Sequence, residues 1–77
     1  MQLVGIRLVK STFEGQTFEK YECHLLDKRK LPGMAGHAVH VYDVRAKAME
    51  DDFSFEVGKN YDFMFEDGKV VAVFEVE

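Results

Sequence analysis

The sequence predicts an all-β fold, and three observations carry that prediction. Apolar residues recur with period two more often than with the 3.6 of a helix, most clearly in YDFMFEDGKVVAVFEV (61–76). Glycine-bearing turn signals, Glu14-Gly15 and Asp67-Gly68, each separate two such runs. The chain has only 77 residues, which makes residues 1–77 a single domain with a small core.

The first strand runs from Leu3 to Lys10, with Val4, Ile6 and Leu8 expected on one face. Glu14-Gly15-Gln16 turns the chain, and Thr17 to Leu26 returns as a second strand. Along it Tyr21, Cys23 and Leu25 are expected inward, opposite Lys20, Glu22 and His24. DKRKLPGMAG (27–36) places three basic residues beside Pro32, Gly33 and Gly36, which interrupt regular pairing, so it reads as a loop. His37 to Arg45 makes a third strand, and RAKAMEDDF (45–53) is compatible with one or two helical turns.

The final hairpin follows. Tyr61, Phe63 and Phe65 alternate with polar or flexible residues, and Asp67-Gly68 supplies the two positive-φ positions of a type I′ turn, whose twist matches that of paired strands. On the returning strand Val70, Ala72, Phe74 and Val76 are expected on one face and Val71 and Val73 on the other. Apolar residues on both faces imply a strand covered on both sides, by the fold or by another subunit. The order β-β-β-(short α)-β-β fits a small five-stranded OB-like barrel with a short helix after the third strand, with an SH3-like barrel as the alternative.

Charge is sorted along the chain. Residues 1–47 hold eight Lys/Arg against five Asp/Glu, a net of +3, and residues 48–77 hold two against nine, a net of −7. A small domain built this way presents one positive and one negative surface, so its overall charge of −4 does not describe what the positive side meets.

Several chemistries are excluded by spacing. His37 and His40 point to opposite faces of a strand, as do the neighbours Cys23 and His24, so no metal site is expected. Cys23 lies on the apolar face, where a thiol is a poor nucleophile, and no phosphate-cradling glycine motif or Ca²⁺ loop is present. The reading is a protein that is not an enzyme and has no cofactor. The lone cysteine excludes an intrachain disulfide and fits a cytoplasmic location. The N-terminal MQLVGIRLVKS lacks the pattern of a signal peptide, and no apolar run is long enough for a membrane span.

Binding remains. Contact with a single-stranded nucleic acid needs cationic side chains along the backbone and rings on which bases stack. The candidates are Phe13, Phe18, Lys20, Lys28, Arg29, Lys30, Tyr42, Arg45 and Lys47. Phe13 and Phe18 flank the first turn, where little core is available to bury a ring.

EGQTFEKYECHLLDK (14–28), with Gly15, an aromatic at Phe18 and a strand closing on Leu26-Asp27, resembles the second strand of the small single-stranded-DNA-binding proteins of filamentous phages. GKNYDFMF (58–65), with Gly58 and Tyr61 opening a strand, resembles a later strand of the same family. The resemblance implies an OB-like barrel acting as a homodimer that coats single-stranded DNA cooperatively, without sequence specificity, in replication of a phage or mobile element. The acidic final hairpin departs from that pattern, because Glu66, Asp67, Glu75 and Glu77 repel a phosphate backbone. The alternative function is an acidic protein-protein interaction module, or a DNA-mimicking inhibitor.

Overall fold

The computed structural model of the protein describes residues 1–46, Met49 and 53–76. Five strands, β1 (Gln2–Phe13), β2 (Gln16–Asp27), β3 (Ala38–Arg45), β4 (Asn60–Glu66) and β5 (Lys69–Val76), form one antiparallel sheet in the order β3-β2-β1-β4-β5. Three successive antiparallel strands followed by a fourth lying beside the first is a Greek key, extended here by β5. β3 and β5 approach to within 8 Å between Cα atoms, but no backbone ladder joins them, so the sheet is not closed into a barrel.

The sheet folds over on itself and buries one face. Leu3, Cys23, Leu25 and Val44 come from β1–β3, and Tyr61 and Val70 from β4–β5. The two halves meet through rings: Tyr42 packs edge-on against Phe63 and Phe65 at centroid distances of 5.2 and 5.0 Å. Phe55 lies 5.2 Å from Tyr61 and 5.9 Å from Tyr21, closing one end of the core. The Tyr61 hydroxyl is not left unpaired by this burial, since it accepts a hydrogen bond from Glu56 N–H at 2.8 Å.

Both hairpin turns show the backbone that two-residue type I′ connections need. Asp67 and Gly68 have φ of 52° and 78°, and Glu14 and Gly15 have 50° and 77°. The first turn is thus Glu14-Gly15, with Gln16 already paired to Phe13.

Two β-bulges correct the expected faces. In β1 the register shifts between Leu3 and Gly5, leaving Val4 as the extra residue. Leu3 and Ile6 therefore face the core, Leu8 continues that face beyond it in register with Tyr21, and Val4 turns out, rather than Val4, Ile6 and Leu8 sharing a face. In β5 the shift falls opposite Met64 and Phe65, with Val71 extra. Val70 and Val73 consequently share the inner face, while Ala72, Phe74 and Val76 lie outside. Strict alternation cannot anticipate this, because a single inserted residue inverts every side chain beyond it.

Most of the segment expected to be helical, including Lys47, Ala48 and 50–52, lies outside the described residues. At its start Met49 N–H donates to Ala46 O at 3.3 Å. Among the described residues no helix is long and apolar enough to cross a membrane.

Candidate nucleic-acid interface

β1 pairs with β4 only at its beginning. Gln2 is opposite Asn60, and Leu3 N–H donates to Lys59 O at 2.9 Å. Beyond the Val4 bulge the strand pairs with β2 alone, so β1 and β2 run on past the core as a two-stranded arm. Twelve-residue strands reach about 40 Å, in keeping with a molecular long axis of 46 Å. From Lys10 to Glu19 every residue is exposed, with no opposing layer over them among the described residues. Phe13 is 67% exposed and Phe18 47%.

Register places the candidate side chains on this arm. Phe13 is opposite Gln16, Ser11 opposite Phe18, and Val9, Lys20 and Arg45 form one row across β1, β2 and β3. All of these belong to the outer face, because the alternate residues Tyr21 and Val44 point to the core. Phe13, Phe18, Lys20 and Arg45 thus make one basic, aromatic surface. Next to it is a cleft of about 450 Å³ lined by Ser11, Thr17, Phe18, Glu19, Lys20, Arg45 and Ala46. It adjoins a second cleft of about 740 Å³ that shares Lys20 and Arg45 and continues past Tyr42 to Phe65 and Lys69. The groove therefore runs from the arm across the edge of β3 to the β4–β5 turn.

The electrostatics are mixed. Lys20 Nζ donates to Asp43 Oδ2 at 2.9 Å, whereas Arg45 and Lys69 have no carboxylate within 4 Å among the described residues. One row further along, Arg7 Nη2 donates to Glu22 Oε2 at 2.8 Å and His24 Nε2 to Glu22 Oε1 at 2.9 Å. The Arg7 hydrogen bond, and after it that of His24, hold Glu22 below the usual carboxylate range. Among the described residues, uncompensated positive charge along the groove is left at Arg45 and Lys69, while Lys20 and the row toward the middle of the outer face are paired with carboxylates.

The remaining predicted residues do not join this surface. Tyr42 lies on the inner face, where its ring packs on Phe63 and Phe65 and stacks with His40 at 6.0 Å, so it borders the groove without offering a free face. Lys28, Arg29 and Lys30 follow the far end of β2, about 25 Å from Lys20 at some 3.3 Å per strand residue. Arg29 is committed within the fold. Its Nη2 donates to Asp27 Oδ2 at 2.6 Å and its Nε to Asp27 Oδ1 at 2.9 Å, and its backbone N–H also reaches Oδ1, at 3.0 Å.

Asp27 is only 1% exposed, and these bonds, the Arg29 side chain foremost, hold its carboxyl well below the usual range. Lys28 borders a separate cleft of about 650 Å³ with Gln2, Asn60 and Asp62. Lys47 lies outside the described residues.

Sequence reasoning missed Lys69 and Phe65. The fold-over of the sheet brings the β4–β5 turn beside β3, and no local pattern announces that approach. Cys23 is fully buried, and burial, with the Asp43 charge second, pushes its thiol up to about 11. Comparison with known protein families, curated proteins and solved structures finds no match to this chain.

Proposed function

We propose that this protein binds single-stranded DNA without sequence specificity, through the outer face of the β1–β2 arm and β3, as a small OB-like protein of the phage or mobile-element type. The observation that carries this reading is the groove in which exposed Phe18 adjoins Lys20 and Arg45, and which continues from those two cations to Lys69. Cations tracking a phosphate backbone beside rings that stack on bases are the two requirements of sequence-tolerant single-strand binding. The Greek-key order with its open seam between β3 and β5 supports the OB-like assignment, a partly open five-stranded Greek-key barrel. In such barrels the faces of the second and third strands and the turns between strands one and two and between four and five contact the ligand, and those parts border the groove here.

The chain also self-associates into a homo-oligomer, with the hairpin 61–76 in the contact. Support comes from Met64, Phe74 and Val76, which are 53%, 51% and 40% exposed on its outer face.

Fluorescence anisotropy with a labelled thymidine oligonucleotide at low salt tests the binding reading. Micromolar affinity is expected. Phe18→Ala weakens it by about 1–3 kcal/mol if a base stacks on that ring. Absence of binding at low salt by the folded wild-type protein refutes the reading and leaves a protein-interaction module as the better account.

A further inference from the structure

The outer face of β4–β5 has a character unlike that of the arm. Register places Met64 opposite Ala72, Asp62 opposite Phe74 and Asn60 opposite Val76, all on the side away from the core. Met64, Phe74 and Val76 form an exposed apolar strip, with Asp62 and Glu66 on the same outward face, Asp67 at the turn and Lys69 opposite Glu66 as the cation of that end. None of these three carboxylates has a cation within 4 Å among the described residues. Because the sheet folds over, this acid-rimmed strip and the basic outer face of β2–β3 look out from opposite sides of one thin domain, with Tyr42, Phe63 and Phe65 packed between them.

We propose that the occupant of the apolar strip is a second copy of this chain, docked head to tail, so that Met64, Phe74 and Asp62 of one copy meet Phe18, Lys20 and Arg45 of the next. Charge complementarity selects that arrangement. A two-fold contact of the strip with itself brings together two surfaces that each carry Asp62, Glu66 and Asp67 against the single Lys69, and like net charges in an interface oppose association. Against the arm, Arg45 offers a free cation and Lys20 one that it shares with Asp43, and the apolar strip finds the exposed Phe18 ring. The two surfaces differ, so the contact is heterologous, and repetition yields chains of copies rather than a closed dimer.

The docking leads to competition. The face covered by the neighbour is the one assigned above to single-stranded DNA, so DNA and the next copy exclude one another. That competition, though not the docking, rests on the DNA-binding reading.

Analytical ultracentrifugation of the full chain at increasing concentration, in low salt and without nucleic acid, tests the docking. The weight-average mass is expected to rise past that of a dimer without a plateau and to fall toward the monomer at 0.5 M salt. Arg45→Glu and Asp62→Lys, both at exposed positions, are each expected to weaken association at least tenfold. An equimolar mixture of the two is expected to restore it, because the reversed charges then face each other.

A monomer at every concentration, a closed dimer, retained association in either variant, or a mixture that fails to associate overturns the proposal. Adding a six-nucleotide thymidine oligonucleotide is expected to break up the wild-type assemblies. Oligonucleotide that binds by anisotropy yet leaves the mass unchanged overturns the competition. Association that passes the charge-swap test in a protein that binds no oligonucleotide upholds the docking and refutes the DNA-binding reading.

Discussion

Salt dependence separates the two basic clusters that the sequence presents as one. Each phosphate contacted by a Lys or Arg releases counterions, and for single strands the log–log slope of affinity against salt is about −0.7 per contact. The groove places Lys20 and Arg45 in one row beside Phe18, so Lys20→Ala/Arg45→Ala removes two contacts and flattens the slope by about 1.4. Between 50 and 200 mM salt, wild-type affinity then falls about sevenfold more than that of the double variant. Lys28→Ala/Lys30→Ala leaves the slope within about one contact of wild type, since these side chains lie beyond the far end of β2. Asp43→Asn shifts the result the other way: releasing Lys20 from its 2.9 Å ion pair steepens the slope and tightens binding at low salt. Anisotropy titrations at four or five salt concentrations read all of these. A slope flattened by the loop pair and unchanged by Lys20→Ala/Arg45→Ala refutes the placement of the site.

Glu14 holds a φ of 50°, a left-handed conformation that an L side chain resists, so Glu14→Gly stabilises the turn by about 0.5–1 kcal/mol. Amide exchange across residues 10–19 is then about two- to fivefold slower, and unchanged or faster exchange counts against a strained turn. Cys23 is labelled by thiol reagents only as fast as the fold opens, because its thiol is buried and its pKa is pushed up to about 11; rapid labelling of folded protein contradicts the inward phase of β2. Leu25→Ala costs about 2–5 kcal/mol by urea denaturation, a large share of the stability of a small domain; a loss below about 1 kcal/mol argues against a close-packed core at that site. Asp27 titrates below its unfolded-state value because Arg29 stabilises its ionised form. The stability this contributes is complete above about pH 4, the unfolded carboxylate range, and is lost as pH falls through the lower folded value. Asp27→Asn removes that part of the acid sensitivity, and an unaltered acid-unfolding profile in the variant contradicts the assignment.

The strands, the type I′ turns and the burial of Cys23 and Leu25 are properties of sequence neighbours, and alternation together with Asp67-Gly68 and Glu14-Gly15 expresses them directly. The exposure of Phe13 and Phe18 follows from the same local logic, since they flank a turn at the end of a hairpin. What local pattern could not supply was phase beyond an irregularity. The bulges at Val4 and Val71 each insert one residue and invert the faces that follow, and so turn Phe74 and Val76 outward beside Met64. Nor could it tell which cations are free. Arg29, placed with Lys28 and Lys30 by sequence, is held by the buried Asp27, and Lys20 by Asp43 on the next strand.

Only the tertiary structure decided what meets across the chain. Period-two alternation assigns a side chain to one of two faces but carries no information about which strands lie side by side or what lies opposite them. The Greek-key order brings the β4–β5 turn with Lys69 and Phe65 to the edge of β3, and the fold-over of the sheet turns Tyr42 into a core ring. Those placements depend on backbone pairing and packing between segments tens of residues apart, and that separation is why residue order determined the elements of this protein while the fold determined its surface.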